Sequence, residues 1–336
     1  NTEPLLHADF LGPSGETVIG ADIPPVGLQG VPPVVTHYQP DLDTMLRAEA
    51  ERRGSVTLWG RTAVDVVDNG DSVLTTLDDG TQVHSRWYVA CDGASSWTRK
   101  RCGLSLEDLR FDQEWLVVDL ELHENSELEL PNCVRQYCNT DRPFTYVKGV
   151  RRYRRWEFQI QPHEDANALN TEDGLWSLLE PMVTAKDARI LRSAVYRFHA
   201  VVAPEMRVGS IFLAGDSAHQ TPPFAGQGLN SGMRDALNLA WKFSFVVRGL
   251  MPESFLHTYT PERVPHVRST IAHAVDMGRL IDQLAGRQSH GVDVESGYGG
   301  TRPQPFLEAG FVTGDDPRVG HQFWFNERVS RAVREN

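Results

Sequence analysis

The chain has 336 residues, 40% hydrophobic and 23% charged, with a formal charge of -12 at neutral pH. That length exceeds what one compact core organises, so two domains, or one interrupted by another, are expected. The acidic balance argues against a surface for nucleic acid or anionic membrane, and the most apolar run, Phe243 to Met251, is broken by Arg248 and Gly249, well short of the ~20 residues that span a bilayer.

Residues 1–35 are rich in Gly and Pro, including Pro24-Pro25 and Pro32-Pro33, and support short strands joined by loops. Gln39 opens a helix: Pro40 sits where a first turn tolerates it, Leu42, Met45, Leu46 and Ala50 follow helical spacing, and Gly54 ends the run. Val64 to Val67 and Ser72 to Leu77 alternate as strands around Asn69-Gly70, and Asp79-Gly80 marks another turn before Val83, an antiparallel meander. Arg86 to Ala90 is a short apolar strand, followed by a helix from Ser95 to Cys102 with Ser95 or Ser96 as its cap. From Phe111 to Ala203 longer alternating strands dominate, among them Leu116 to Leu122 and Tyr153 to Ile160, with one helix near Leu175 to Val183. Ser210 to Ala214 is again a buried-type strand, and a Gly/Pro loop leads into a helix from Asn230 to Arg248. On that helix Leu229, Met233, Leu237, Trp241 and Phe245 recur every fourth residue, which predicts a core-facing stripe.

Cys91, Cys102, Cys133 and Cys138 are too few for a disulfide scaffold and lack paired metal-ligand spacing. Reduced thiols in a cytoplasmic protein without a bound metal are expected. Asn1 opens the chain without a methionine, which leaves open what precedes it.

The chemistry concentrates in three stretches. Ile211-Phe-Leu-Ala-Gly215-Asp216 is a strand that delivers a carboxylate to the end of a sheet, where α/β folds gather ligands. After Ser217-Ala-His219, the loop Thr221-Pro-Pro223-Phe-Ala-Gly226-Gln227-Gly228-Leu229-Asn230 combines stiff prolines with glycines that let backbone approach a flat ligand, and it runs directly into a helix N-terminus that favours negative charge. Tyr88-Val-Ala-Cys-Asp92-Gly93-Ala-Ser-Ser-Trp-Thr-Arg99 is a second strand, turn and helix. Tyr38-Gln39-Pro-Asp-Leu42 is the third.

In this order the stretches resemble the flavin-site motifs of the FAD-dependent aromatic hydroxylases, and the likeness continues through Ser231-Gly-Met-Arg-Asp235, Asn238-Leu-Ala-Trp-Lys242 and Tyr259-Thr-Pro-Glu-Arg263-Val-Pro265. The resemblance implies an α/β, Rossmann-like FAD-binding domain interrupted by a β-sheet-rich substrate domain. Residues 1–110 and 204–285 would form the former, 111–203 the latter, and 286–336 the start of a C-terminal region. It makes Asp216 the ribityl contact and sets Pro223 and Gly226 to Asn230 beside the isoalloxazine. Gly215, Asp92 and Gln39 join the cofactor set, Gln39 with the alternative of a polar residue facing water. His219 supports the loop by hydrogen bonding or takes part in catalysis, and both stay open.

The implied reaction is hydroxylation of a phenolic ring by NADH or NADPH and molecular oxygen through a flavin hydroperoxide. The alternatives are an FAD-dependent epoxidase or reductase on a non-aromatic substrate, or a non-catalytic remnant. Within the family the Pro-Phe-Ala-Gly-Gln-Gly loop looks most like the hydroxylases of meta-hydroxyphenylpropionate and related phenols. The family's opening Gly-x-Gly-x-x-Gly turn, which holds the adenylate half of FAD, is not spelled in this chain. Pocket residues are sought in the insert, where Tyr137, Tyr146, Tyr196 and His199 are unranked guesses, with Tyr196, Pro223 and His219 carried as pocket candidates. The run Arg151-Arg152-Tyr153-Arg154-Arg155 would hold a nicotinamide phosphate or be a solvated face. Self-association into a homodimer is left open.

Overall fold

The computed structural model describes residues 2–287 apart from 28, 29 and 225; the expected C-terminal region beyond 287 lies outside the described residues. The chain opens with β1 (Thr2–Pro4), β2 (His7–Leu11), β3 (Thr17–Asp22) and β4 (Val35–His37), then α1 (Gln39–Arg52). The meander follows as β5 (Ala63–Asp68), β6 (Val73–Leu77) and β7 (Gln82–Ser85), then β8 (Tyr88–Ala90) and α2 (Trp97–Arg101). The insert contributes β9 (Glu107–Leu122), β10 (Val134–Tyr137), β11 (Phe144–Lys148), β12 (Tyr153–Gln159), α3 (Ala166–Leu169), α4 (Glu172–Leu179) and β13 (Ala188–Val202). The chain then returns through β14 (Arg207–Val208), β15 (Ile211–Leu213), β16 (His219–Gln220), α5 (Gly228–Val247) and α6 (Tyr259–Leu284).

An eight-stranded sheet, in the order β16-β13-β9-β12-β11-β10-β2-β3, dominates the molecule. Its two outer strands at one edge come from residues 7–22, far from the insert in sequence, because β2 pairs in parallel with β10. Side chains alternate across the sheet, so each long strand serves two surfaces. On one face Leu116, Val118, Leu120, Tyr146, Trp156 and Phe158 pack with Leu175 and Leu179 of α4 into a closed apolar core. The helix is set there by Thr171, whose hydroxyl accepts the N–H of Gly174, and by Glu172 and Asp173 in its first turn. The opposite face carries Trp115, Gln159, Glu157 and Tyr196, since Trp115 stands directly opposite both Gln159 and Tyr196.

Three further sheets complete the fold among the described residues, the smallest an antiparallel pairing of β1 with β4. β5-β6-β7 is the expected meander, and β14-β15-β8 joins β8 and β15 in parallel although 120 residues separate them. Over that small sheet lie α5 and α6, with Phe212, Leu213, Leu239, Leu256, Tyr259, Val267, Ile271 and Ile281 in one core. The fold is thus mixed α/β, with a sheet-rich unit inserted between the two halves of the β8–β15 unit.

One expectation is corrected and one element was not anticipated. The every-fourth-residue stripe of α5 reaches the core only at its end: Leu229, Met233 and Leu237 are 41%, 45% and 69% exposed and Trp241 packs half-buried against the core, while Ser231, Asp235, Leu239, Lys242 and Val246 are buried. A strict four-residue repeat drifts around a helix of 3.6 residues per turn, and the buried stripe is polar because its charges are paired within the core. The second long helix, α6, is unexpected from sequence because Pro261 and Pro265 punctuate its beginning. Pro261 lies in its first turn, where the missing N–H has no intrahelical partner, whereas Pro265 lies inside the helix and forgoes one bond.

Candidate functional site

β8 and β15 run side by side and end together, so Asp92 and Asp216 emerge at the same edge. Past the end of β15, Ala214 N–H donates to Ala90 O at 3.0 Å, and Gly215–Ser217 makes one tight turn in which Gly215 adopts φ +62°. Ser217 fastens that turn: its hydroxyl donates to Ala90 O at 2.8 Å and accepts from Ala214 N at 3.1 Å. Arg99, 5% exposed, binds both motifs at once, donating to Ser217 O at 2.7 Å and Ala94 O at 3.0 Å. Ser96 is the cap of α2, accepting from Arg99 N. Asp92 turns one carboxylate oxygen back to Thr98 N at 2.9 Å; burial works to raise its pKa, but bonds from Ser96 and Thr98 hold it below the ordinary carboxylate range. Asp216, by contrast, is exposed, and its carboxylate makes no hydrogen bond or ion pair among the described residues.

Beneath this turn lies a buried ionic network. Asp235, wholly buried on α5, accepts from Gly215 N at 2.9 Å, His219 Nε2 at 2.7 Å and Arg263 Nε at 2.6 Å. Burial alone would raise its pKa; the bond and charge of His219, the Arg263 guanidinium and the Gly215 N–H bring it below the usual range. α5 packs directly on the turn with Gly232 facing Gly215, where a Cβ would stand at ordinary contact distance, 3.5 Å from Gly215 Cα. Two turns further along α5, Lys242 forms a second buried pair with Glu262 at 2.7 Å, with Asn238 donating to Glu262. His266 is also buried, its pKa pushed down to about 4 by burial and by Arg263 and Arg234.

The loop after His219 is braced by its own backbone and by the large sheet. Gly226 N donates to Pro223 O at 2.8 Å, Asn230 donates to Gly226 O at 2.8 Å, and Ser231 N donates to Gln227 O at 2.8 Å. Phe224 is buried, meeting Trp115 edge-on at 5.5 Å and Phe111 at 5.8 Å. α6 makes room for both rings at Gly278, where a Cβ would stand 2.8 Å from Phe111 and Phe224. The N-terminus of α5 at Gly228 has no side-chain cap, and a Cβ at Gly226 or Gly228 would meet nothing within 4 Å.

The structure therefore brings Gly215, Asp216, His219, Pro223 and Gly226–Asn230 to one edge, with Asp92 on the neighbouring strand. Leu229 points outward, 41% exposed. His219 is only 1% exposed and is bonded to Asp235 beneath the loop. Gln39 begins α1 elsewhere; its neighbour Tyr38 stacks on Tyr153 of the large sheet at 4.0 Å. Tyr196 lies on the Trp115 face, 37% exposed, whereas Tyr146 is buried in the α4-covered core and Tyr137 packs against it, so these two are not on the loop-facing side. His199 is 41% exposed near Asp112. The basic run is occupied: Arg151 meets Asp41, Arg152 meets Glu121, Arg154 donates to backbone, and Arg155 meets Asp119.

Asp235, Arg99 and Arg263 fall within the motifs that the sequence shows, but sequence reasoning assigned them no role. The signal for Asp235 was present as helical spacing: Ser231, Asp235 and Lys242 share one stripe with Leu239, a polar stripe that has to find partners if it is buried.

Comparison with known proteins identifies the family and the fold. A family model described as FAD binding domain matches residues 15–274. Among curated proteins the chain is 34% identical over 271 residues to a probable NADH-specific resorcinol 4-hydroxylase of Rhodococcus jostii, covering 79% of this chain and 51% of that protein. It is 35% identical over 263 residues to a 3-(3-hydroxy-phenyl)propionate/3-hydroxycinnamic acid hydroxylase of Mycolicibacterium smegmatis, covering 77% and 46%. The chain spans about half the length of these relatives. Among solved structures, aklavinone-11 hydroxylase in complex with FAD and aklavinone superposes with a TM-score of 0.78 at 20% identity, over 94% of this chain and 63% of that one. At 17% identity, p-nitrophenol 4-monooxygenase from Pseudomonas putida DLL-E4 gives 0.71 over 85% and 77%. At these identities the two structures speak for the fold.

Proposed function

This chain belongs to the FAD binding domain family, and from that premise we propose that it carries the flavin-ring and substrate portion of a hydroxylase acting on phenolic aromatics with NADH or NADPH and molecular oxygen. The observation that carries the proposal is the contrast at the end of β15, where every neighbour of Asp216 is locked while its own carboxylate stands exposed and unpartnered.

The residues fit the flavin. An uncapped helix N-terminus, open space above Gly226 and Gly228, and the buried, unpartnered Thr221 Oγ1 form a cradle whose polar groups await a ligand. Asp216 would accept ribityl hydroxyls, and the first N–H groups of α5 would face the pyrimidine edge of the ring, where they favour negative charge. The chemistry supplied by bound FAD is acceptance of electrons from NADH or NADPH and activation of molecular oxygen. The chain's own part is orientation and dryness. Phe111, Trp115 and Phe224 wall one side of the loop with apolar surface, and Tyr196 and Phe198 extend that wall along β13.

The named relatives support a phenol as substrate, and the resorcinol hydroxylase supports NADH as the reductant. The test is NADH and NADPH oxidation by the flavin-loaded protein across a panel of phenols, with product identified by mass. Reductant consumption stimulated by a phenol together with gain of one oxygen atom is expected; reduction of the flavin with no hydroxylated product from any phenol contradicts the proposal.

A further inference from the structure

Strand β12 presents Tyr153, Arg155, Glu157 and Gln159 to the face on which the Phe224 loop is seated. At one end Tyr153 stacks on Tyr38, next to Gln39. At the other, Gln159 stands opposite Trp115, the ring that meets Phe224. These ends are about 20 Å apart along the strand, room for a flavin ring with an aromatic substrate beside it. Between them sits Glu157. It lies opposite Val117 on β9 and Thr145 on β11, and Thr145 is already committed to Gln136 at 2.6 Å.

Glu157 is an anomaly on this surface. Its side chain is 13% exposed, yet it makes no hydrogen bond among the described residues. The nearest cation, Arg155, is 3.8 Å away and is bound instead to Asp119 at 2.6 Å. Burial pushes the Glu157 carboxyl up, Arg155 pulls it down, and Asp119 adds to the rise. A carboxyl so far withdrawn from water, with no hydrogen bond and only a loose ion pair at 3.8 Å, is costly to keep, and such costs are retained where a ligand uses the group. Other acids of the same face, Asp119 and Glu121, are each engaged by arginines.

We infer that Glu157 is a substrate-binding residue: its carboxylate accepts a hydroxyl hydrogen of the aromatic substrate, so the site selects rings that carry a free hydroxyl over their methyl ethers. This rests on the hydroxylase reading for the identity of the ligand, but the contact itself is a property of the sheet face.

The test is calorimetric binding of resorcinol and of 1,3-dimethoxybenzene to the flavin-loaded protein and to its Glu157→Leu variant, with unfolding midpoints of both. Wild type is expected to prefer resorcinol, and Glu157→Leu to lose about tenfold or more in resorcinol affinity while binding the ether no worse. The same variant should unfold at an equal or higher temperature, because it removes a largely buried carboxyl that only a loose ion pair compensates; a residue kept for structure would shift the midpoint down. Undiminished resorcinol affinity in Glu157→Leu, or equal losses for both compounds, overturns the assignment. If wild type shows the resorcinol preference but hydroxylates no phenol, the contact stands and the hydroxylase reading falls.

Discussion

The two cores of this protein are built on opposite principles. Between the large sheet and α4 the interior is built from apolar and aromatic side chains, with the Tyr146 hydroxyl buried among them, and Asp119 and Glu121 sit in ion pairs on the other face. Under the Gly215–Asp216 turn the interior holds Asp235, His219, Arg263, Lys242, Glu262 and His266, all buried. An apolar core holds the sheet together but is tolerant of where any one backbone atom sits. A network of charge-assisted bonds fixes atoms by distance and angle. Where the backbone N–H of Gly215 has to be held within a hydrogen-bond length of a carboxylate, the second design is the one used. It is also the more exposed to failure, since a removed partner strands a buried charge.

That contrast is broken most forcefully by truncating each core. Asp235→Ala and Trp156→Ala should each cost roughly 3–5 kcal/mol, the first by stranding Arg263 and His219 and the second by leaving a cavity. Only Asp235→Ala should lose flavin among molecules that remain folded, because only it releases Gly215. Urea titrations followed in parallel by tryptophan and flavin fluorescence separate these outcomes; equal flavin retention by the folded fraction of both variants would erase the distinction.

A smaller effect comes from pH. The folded pKa of His266 is about 4 against an ordinary 6.5, so the unfolded chain takes up its proton first as pH falls. His266 therefore contributes stability that is full above about pH 6.5 and is lost progressively towards pH 4, amounting to about 2 kcal/mol between pH 7 and 5. His266→Gln should flatten that slope, and urea midpoints at the two pH values measure it. An unchanged slope would mean that His266 is not the group responsible.

How far these cores were legible in the sequence follows the same division. Strand, turn and helix around Asp216 are local, so Gly215, Asp216 and the 223–230 loop could be read from spacing, as could the meander and the cap at Ser96. What joins distant segments could not. Nothing near Asp235 announces Arg263, which lies 28 residues on, or Glu262 as the partner of Lys242. Nor does His7 to Leu11 announce its pairing with β10, 126 residues later. The α5 stripe was misjudged because apolar periodicity was counted and the polar stripe beside it was not.

The smallest expected effect sharpens that last point. Leu237 is 69% exposed on α5, so Leu237→Lys in this chain should change stability by no more than about 0.5 kcal/mol. A loss of several kcal/mol in the same urea titration would return the residue to a core.

The central claim, that Asp216 and the uncapped start of α5 hold the flavin, is tested most directly by equilibrium titration of FAD against wild type, Asp216→Ala and Gly228→Val. Both positions are open in the structure, so both variants should fold with unchanged unfolding midpoints. Asp216→Ala should bind FAD about ten- to a hundredfold more weakly through loss of a charged acceptor. Gly228→Val should bind it least, because its side chain fills the space that the ring requires. Wild-type FAD affinity in both variants would contradict the account.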